Sequence, residues 1–431
     1  MKVLIQKQIL IDLKLKLYSV NKEKQLDYYV YFTSLLNSLP VRHREREQND
    51  TIVRLNSLAL RKIYYNYSLV IRDLQDFGII NKVSNYSTDL KKSNGYLIND
   101  KYIGNDLESY NLTNTALLKK LNYLSKSIPN GRLFLKDYFN HKLTFDFDKA
   151  IEYIESNYNK NQGQKYQSRI LIAHYWKCRV FEYSVNEKTD NRFHSLFTRT
   201  PKDLRMFIKY DNEELIGYDL KSSQLFFFSV ILKSIIEDDI DLREEIGFID
   251  FYDSSELQYE IESLSLNNKE INKFIDIVLN QDIYNWFSDK IDCSFDQIQN
   301  KFYVEYISKG KVIKEYYETK RDLSKKAFMV ILNTGVDCKN SFYKAFNDCF
   351  PDIGRIIKII KKFYPMHKIL QQVESFVFLD CVANDIYKHN IPILTIHDCF
   401  YTNKTNSKKL KQLMIKYIKQ YTTLNNNICI N

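Results

Sequence analysis

Apolar residues recur every three or four positions over much of the chain and alternate in only a few short runs. That pattern predicts helices with a few short strands between them. Residues 22–40 (NKEKQLDYYVYFTSLLNSL) read as a helix ended by Pro40, and the charged run 41–50 (VRHREREQND) as an exposed connection. A helix is expected over 51–58. A second is expected over 61–77, where Tyr64, Tyr67, Val70, Ile71 and Leu74 fall at helical spacing. Gly78 should stop it, as glycine does when a left-handed residue follows the last turn. Two β-prone runs come next, IINKVSNYS and NGYLIN, separated by a basic tip that includes Lys91 and Lys92. Residues 105–190 read as mainly helical and show no chemistry.

Composition narrows the class. The 431 residues include only 10 glycines and 6 prolines, so loops should be few, and the length suits two or three domains. The net charge is +10, with basic residues spread along the chain rather than held in a tail. This suits a folded groove for a polyanion, because Lys and Arg beside phosphates release condensed counterions. Seven cysteines without a CxxC pair argue against a disulfide framework or a structural zinc, and for an intracellular chain. Charges break the N-terminal MKVLIQKQILIDLKLKL every few residues, unlike a signal peptide. Apolar runs such as FFFSVIL are too short to cross a bilayer, so a soluble, cytoplasmic protein with no membrane partner is expected.

Three blocks carry candidate chemistry. In ELIGYDLKSSQLFFFSVIL (214–232) an apolar strand ends at Asp219, and Ser222 is placed to cap a helix that starts at Ser223. An acid at the end of a buried strand is costly unless compensated, and a bound cation is the usual compensation. An ordinary strand-to-helix turn has the same pattern. In KRDLSKKAFMVILNTGVD (320–337) an amphipathic helix from Ser324 to Gly335 carries Lys325 and Lys326 near its start. There they oppose the helix dipole, a conflict that an anion would relieve and that a solvated basic face leaves standing. In HNIPILTIHDCFYTN (389–403) an apolar strand leads to His397-Asp398 and then to a second β-prone run. A hairpin turn between buried strands holds its carboxylate at one point, although Asp also forms turns on plain surfaces.

In chain order the blocks resemble motifs A, B and C of the DNA polymerase I family (family A) and the related phage-type single-subunit RNA polymerases. Motif A is matched by Tyr218-Asp219-Leu220-Lys221-Ser222-Ser223-Gln224. Motif B is matched by Lys326, nine residues before Gly335, and motif C by His397-Asp398. Asn191-Arg192-Phe193-His194-Ser195 is similar to that family's Gly-Arg-Leu-Ser-Ser segment, and a helix beginning with Leu370-Gln371-Gln372-Val373-Glu374-Ser375 offers polar contacts to a template. The resemblance covers roughly 190–403. Near the N-terminus, two helices, a glycine stop and a hairpin with a basic tip resemble the winged-helix domains of plasmid and mobile-element replication proteins. A helical hairpin with a packing β-ribbon would follow the same order.

The resemblance implies an α+β, mostly helical right-hand polymerase. Its parts would be a helical segment 1–45, a winged helix 46–100, a thumb-like region 101–190, and an antiparallel palm over 191–431 with helical fingers at about 235–365. It implies two Mg²⁺ (or Mn²⁺) ions held by Asp219, Asp398 and the Leu220 carbonyl, with Lys326 and Arg321 neutralising a nucleoside triphosphate. Gln224, Thr334 and Gly335 would border the nucleotide. Arg192, His194, Gln372 and His397 would hold template and primer, and Arg61, Lys62, Lys91 and Lys92 would contact DNA. Thr334 stands where the family has an aromatic residue and Gln224 where it has an acid, which leaves sugar selectivity open. The reading is a DNA or RNA polymerase for replication or transcription in a mobile element, phage or plasmid. A primase, a terminal transferase, or a non-enzymatic replication initiator on a degenerate palm remain alternatives.

Overall fold

A computed structural model describes residues 1–42, 52–104, 106–124, 128–158, 164–187, 189–252, 255–308, 311–335, 341–424 and 428–430. Most of the charged 41–50 connection lies outside them. The fold is α+β and mostly helical, and the sheet pairings with a described register are antiparallel. The chain divides into two compact units. One comprises Met1–Val185, Phe193–Ile216 and Asn403–Thr405; the other comprises Asn186–Arg192, Gly217–Thr402 and Asn406–Asn431.

In the first unit, strand Lys2–Gln6 pairs with Leu107–Asn111, and helices Lys7–Ser19 and Leu26–Arg42 contribute Leu13, Leu17, Tyr29 and Phe32 to its core. Pro40 lies inside the second helix instead of ending it. A proline's fixed φ suits a helix, and its missing N–H forgoes one hydrogen bond. Residues 105–190 combine helices such as Thr115–Leu124, Phe147–Asn157 and Gln164–Lys177 with short strands, among them Leu143–Phe145.

Between 53 and 98 the order is strand Val53–Arg54, helices Ser57–Ile63 and Tyr67–Asp76, then hairpin Ile80–Ser84 and Gly95–Ile98. The third strand lies between the other two. The helix expected at 51–58 is displaced, because Val53 and Arg54 pair with Tyr96 and Gly95. Asn56 caps the real helix by accepting the Ala59 N–H at 3.1 Å. The single helix expected over 61–77 is broken at Tyr64, which is extended at φ −145°. Tyr64 stacks on Tyr28 with centroids 4.1 Å apart, so its helical spacing with Tyr67 reflects shared burial rather than one continuous helix. Gly78 does stop the second helix. It sits at φ +67°, donating to Gln75 O at 2.8 Å, while Ile79 donates to Leu74 O at 2.9 Å.

The second unit is built around helix Ser223–Ile236. Its run FFFSVIL is apolar on every side, as suits a helix buried all round. It packs against helices Asn268–Asn280 and Met366–Ser375. Phe228 meets Phe274 at 5.9 Å and Phe227 meets Phe378 at 5.9 Å; Phe378 in turn meets Phe400 at 5.3 Å. Phe400 belongs to strand Cys399–Asn403, which forms a hairpin with Leu394–Ile396. One aromatic chain thus joins the helix that follows Asp219 to the hairpin that carries Asp398. No helix among the described residues is long and apolar enough to cross a membrane.

Candidate active site

Strand Glu213–Asp219 ends beside the 394–403 hairpin. It is half-buried rather than buried, and Asp219 at its end is exposed, so the cost expected for a carboxylate there does not arise. The cost falls on Asp398 instead. Its carboxyl is held above the usual range, chiefly by burial, against the opposing effects of the Ser223 hydroxyl, its own backbone and the more distant Arg192. His397 takes the left-handed conformation (φ +53°) that lets a two-residue turn join Ile396 to Cys399. The Leu220 N–H donates to the Asp398 carbonyl at 3.4 Å, so the strand end with Asp219 and the hairpin tip with Asp398 are backbone neighbours.

Two local fits shape the turns of this site. A Cβ on Gly217 would lie 2.5 Å from the Tyr401 ring, so only glycine lets that ring cross the strand. Gly217→Ala is expected to destabilise the protein by about 1–3 kcal/mol, as overpacking does, which a denaturant midpoint would measure. Ser222 occupies the first-cap position of helix Ser223–Ile236 but does not cap it. It is left-handed (φ 55°), a conformation outside the extended one that a capping serine takes.

Glu374, in the segment expected to offer polar contacts to a template, is instead the buried polar centre of the site. It is 1% exposed at the end of helix Met366–Ser375. Its Oε1 accepts from Arg192 Nε at 3.1 Å and Nη2 at 2.5 Å, and its Oε2 accepts from Ser223 at 2.9 Å. Burial pushes its carboxyl up to about 7, against the pull of Arg192; the nearby charge of Asp398 adds to the rise. The sequence does hold a signal. Position 374 is four residues after Leu370 and beside Val373, on the buried stripe of Met366, Ile369 and Leu370, where an acid is out of place. After Ser375 the helix widens into a π-helical stretch, Phe376–Val382. Leu370–Gln372 therefore lie inside a helix that begins four residues earlier, at Met366, not at the start of one.

The remaining expected residues are dispersed. Helix Lys320–Asn333 starts at Thr319, whose hydroxyl accepts from the Asp322 N–H at 3.1 Å, so Lys325 and Lys326 sit in its second turn instead of its first. Both have carboxylate partners, Asp322 at 3.6 Å and Glu315 at 3.2 Å. Arg321 lies in the first turn, bound to Asp282 at 3.0 Å. The Thr334 hydroxyl donates to Val330 O at 2.7 Å, and Gly335 is exposed with open space around its Cβ position. Gln224 is half-buried in the first turn after Ser223. Gln372 donates to the carbonyls of Glu187 and Thr189, at 3.1 and 3.0 Å. In the first unit, His194 is half-buried in a short strand paired with Ser184–Val185, and Arg61, Lys62 and Lys91 are exposed while Lys92 is half-buried.

Among the described residues, no group of three or more His, Cys, Asp or Glu side chains is arranged to hold a metal. The sequence matches no protein-family model and no curated protein. Among solved structures it is similar to the POL domain of Pol1 from M. smegmatis, described in complex with DNA primer-template and dNTP. Identity is 11%, over 96% of this chain and 72% of that one, with a TM-score of 0.21. A likeness that weak carries no weight for fold or function.

Proposed function

We propose that the second unit is a template-directed nucleotidyltransferase, a DNA or RNA polymerase, and that residues 53–98 are a winged helix that binds DNA. One observation carries the first part: the Leu220–Asp398 backbone bond brings two carboxylate-bearing turns together, 179 residues apart in sequence. The donors there suit magnesium. Two carboxylates and the Leu220 carbonyl are hard oxygens, and Mg²⁺ commonly takes one or two carboxylates and completes its shell with substrate phosphates and water. Asp398, held up by burial, gains most from a cation beside it. When bound, two such ions would activate a 3′-hydroxyl and offset charge on the leaving pyrophosphate.

The chain's own residues then have distinct tasks. Asp219 and Asp398 would hold the ions, and Ser223, which donates to Glu374 beside Asp398, would help set the orientation of Asp398. Arg321 and Lys326 neutralise the triphosphate, Lys326 exchanging its surface partner Glu315 for phosphate oxygens. Labelled dNTPs or rNTPs supplied with primed, unprimed and absent template test the reading. Template-dependent, Mg²⁺-dependent incorporation is expected. Incorporation without template would mark a terminal transferase, and none in any arm would sink the enzymatic reading.

The second part rests on the strand, helix, helix, hairpin order with its third strand central, and on exposed Arg61, Lys62 and Lys91. Replacing Arg61 and Lys62 together with Gln should weaken DNA binding uniformly across sequences. The slope of log affinity against log salt should flatten by about 1 for each phosphate no longer neutralised, as read from titrations at several salt concentrations.

A further inference from the structure

Asp282 lies outside every motif, yet it joins the strand-to-helix turn after Asp219 to the helix that carries Lys326. It precedes helix Ile283–Ser288, and its Oδ1 accepts from the N–H groups of Tyr284 at 3.1 Å and Asn285 at 3.2 Å. Its other oxygen faces two cations from distant parts of the chain, Arg321 Nε at 3.0 Å and Lys221 Nζ at 3.7 Å. Lys221 is two residues beyond Asp219, and Arg321 lies in the first turn of helix Lys320–Asn333. The same short segment supplies Tyr284. Its ring lies 5.2 Å under the Arg321 guanidinium.

Charge and geometry narrow what this arrangement can bind. Two cations reaching one carboxylate oxygen are close neighbours, and like charges at that spacing repel unless an anion stands between them. Asp282 offsets one of the two charges and leaves one over. It is also immobile, because its first oxygen is fixed to backbone. Contact through Nε holds the Arg321 guanidinium by its inner edge, which turns its outer edge away from Asp282, the geometry for gripping a second oxyanion. The geometry points to a polyphosphate clamp: Lys221 and Arg321 grip the phosphate chain of the incoming nucleotide, and Asp282 is the positioning residue that aims both. The identity of the ligand as a nucleoside triphosphate rests on the nucleotidyltransferase reading; the clamp itself rests on the three side chains and their spacing.

A test that avoids turnover keeps the two apart. Inorganic tripolyphosphate is titrated calorimetrically into the full chain and into Lys221→Gln and Asp282→Asn variants. Asn caps helices as well as Asp does, so Asp282→Asn should fold normally, and Asp282→Ser supplies a second capping variant. The wild type should bind, and each variant should bind about tenfold more weakly, the equivalent of roughly one charge-assisted hydrogen bond. The Asp282→Asn result is the discriminating one. Removing a negative charge makes the site more positive, so a purely electrostatic site would bind tripolyphosphate more tightly, whereas a positioning role requires weaker binding. Tighter or unchanged binding by Asp282→Asn and Asp282→Ser, unchanged binding by Lys221→Gln, or no binding by the wild type would each overturn the clamp. Binding that follows the expected order in a protein that incorporates no nucleotide would leave the clamp standing and remove the polymerase reading. Incorporation with unaltered binding across the variants would do the reverse.

Discussion

Asp398→Asn is expected to cut Mg²⁺-dependent nucleotide incorporation by about a thousandfold or more without lowering the thermal transition. The substitution separates chemistry from scaffold. The amide keeps the shape but lacks the charge that would hold the cations. The charge stabilisation removed is several kcal/mol, and each 1.4 kcal/mol is about a factor of ten in rate. In the folded protein without metal, burial already disfavours the ionised carboxylate, so an uncharged isostere should leave stability equal or higher. Asp219→Asn should remove activity to a similar degree, with stability unchanged because that side chain is exposed. Primer extension and a thermal melt on the same preparations give both readouts. Incorporation at the wild-type rate by either variant would refute the two-carboxylate centre. Activity that disappears together with folding in both would reduce the two aspartates to structural residues.

How much of the fold and site is legible in the chain depends on how local each feature is. Gly78 and the hairpin after it can be read directly, because a left-handed helix stop and alternating short strands depend on neighbouring residues alone. Tyr64 misleads for the converse reason: a stacking partner 36 residues away, Tyr28, decides its backbone. Ser222 has the right residue type for a cap, but its backbone is left-handed, which the residue type does not announce. The strand end at Asp219 and the turn at Asp398 are legible as separate patterns. Their backbone contact is a product of the fold, made through Phe227, Phe378 and Phe400 at separations no periodicity reports. Asp282 gives no signal at all, since an Asp before a short helix is an ordinary cap until its second oxygen is seen between Lys221 and Arg321. Glu374 lies between these extremes: an acid on an apolar stripe can be noticed from spacing alone.

Glu374→Ala is expected to destabilise the protein by about 3 kcal/mol, because it would leave the Arg192 guanidinium, whose side chain is only 15% exposed, without its hydrogen-bond acceptor. Glu374→Gln should be milder and should reveal the pH dependence of this carboxyl by removing it. In the folded protein the Glu374 carboxyl is raised to about 7 from an ordinary value of 4.5, so the folded state holds a proton that the unfolded chain has released between those limits. Stability contributed by that proton is complete below about pH 4.5, declines as pH rises toward 7, and is flat beyond. The decline amounts to about 3 kcal/mol over the interval at about 1.4 kcal/mol per pH unit. Asp398 is shifted in the same direction and reinforces the slope. Wild-type unfolding free energy, measured by denaturant from pH 4.5 to 8, should therefore fall through this window, and the fall should be shallower in Glu374→Gln. Added Mg²⁺ should oppose it, since a cation at Asp398 favours the ionised carboxylate and stabilises more strongly as pH rises. A Glu374→Gln profile parallel to wild type would mean that Glu374 stays ionised throughout, held by Arg192, and acts as a fixed charge in the site.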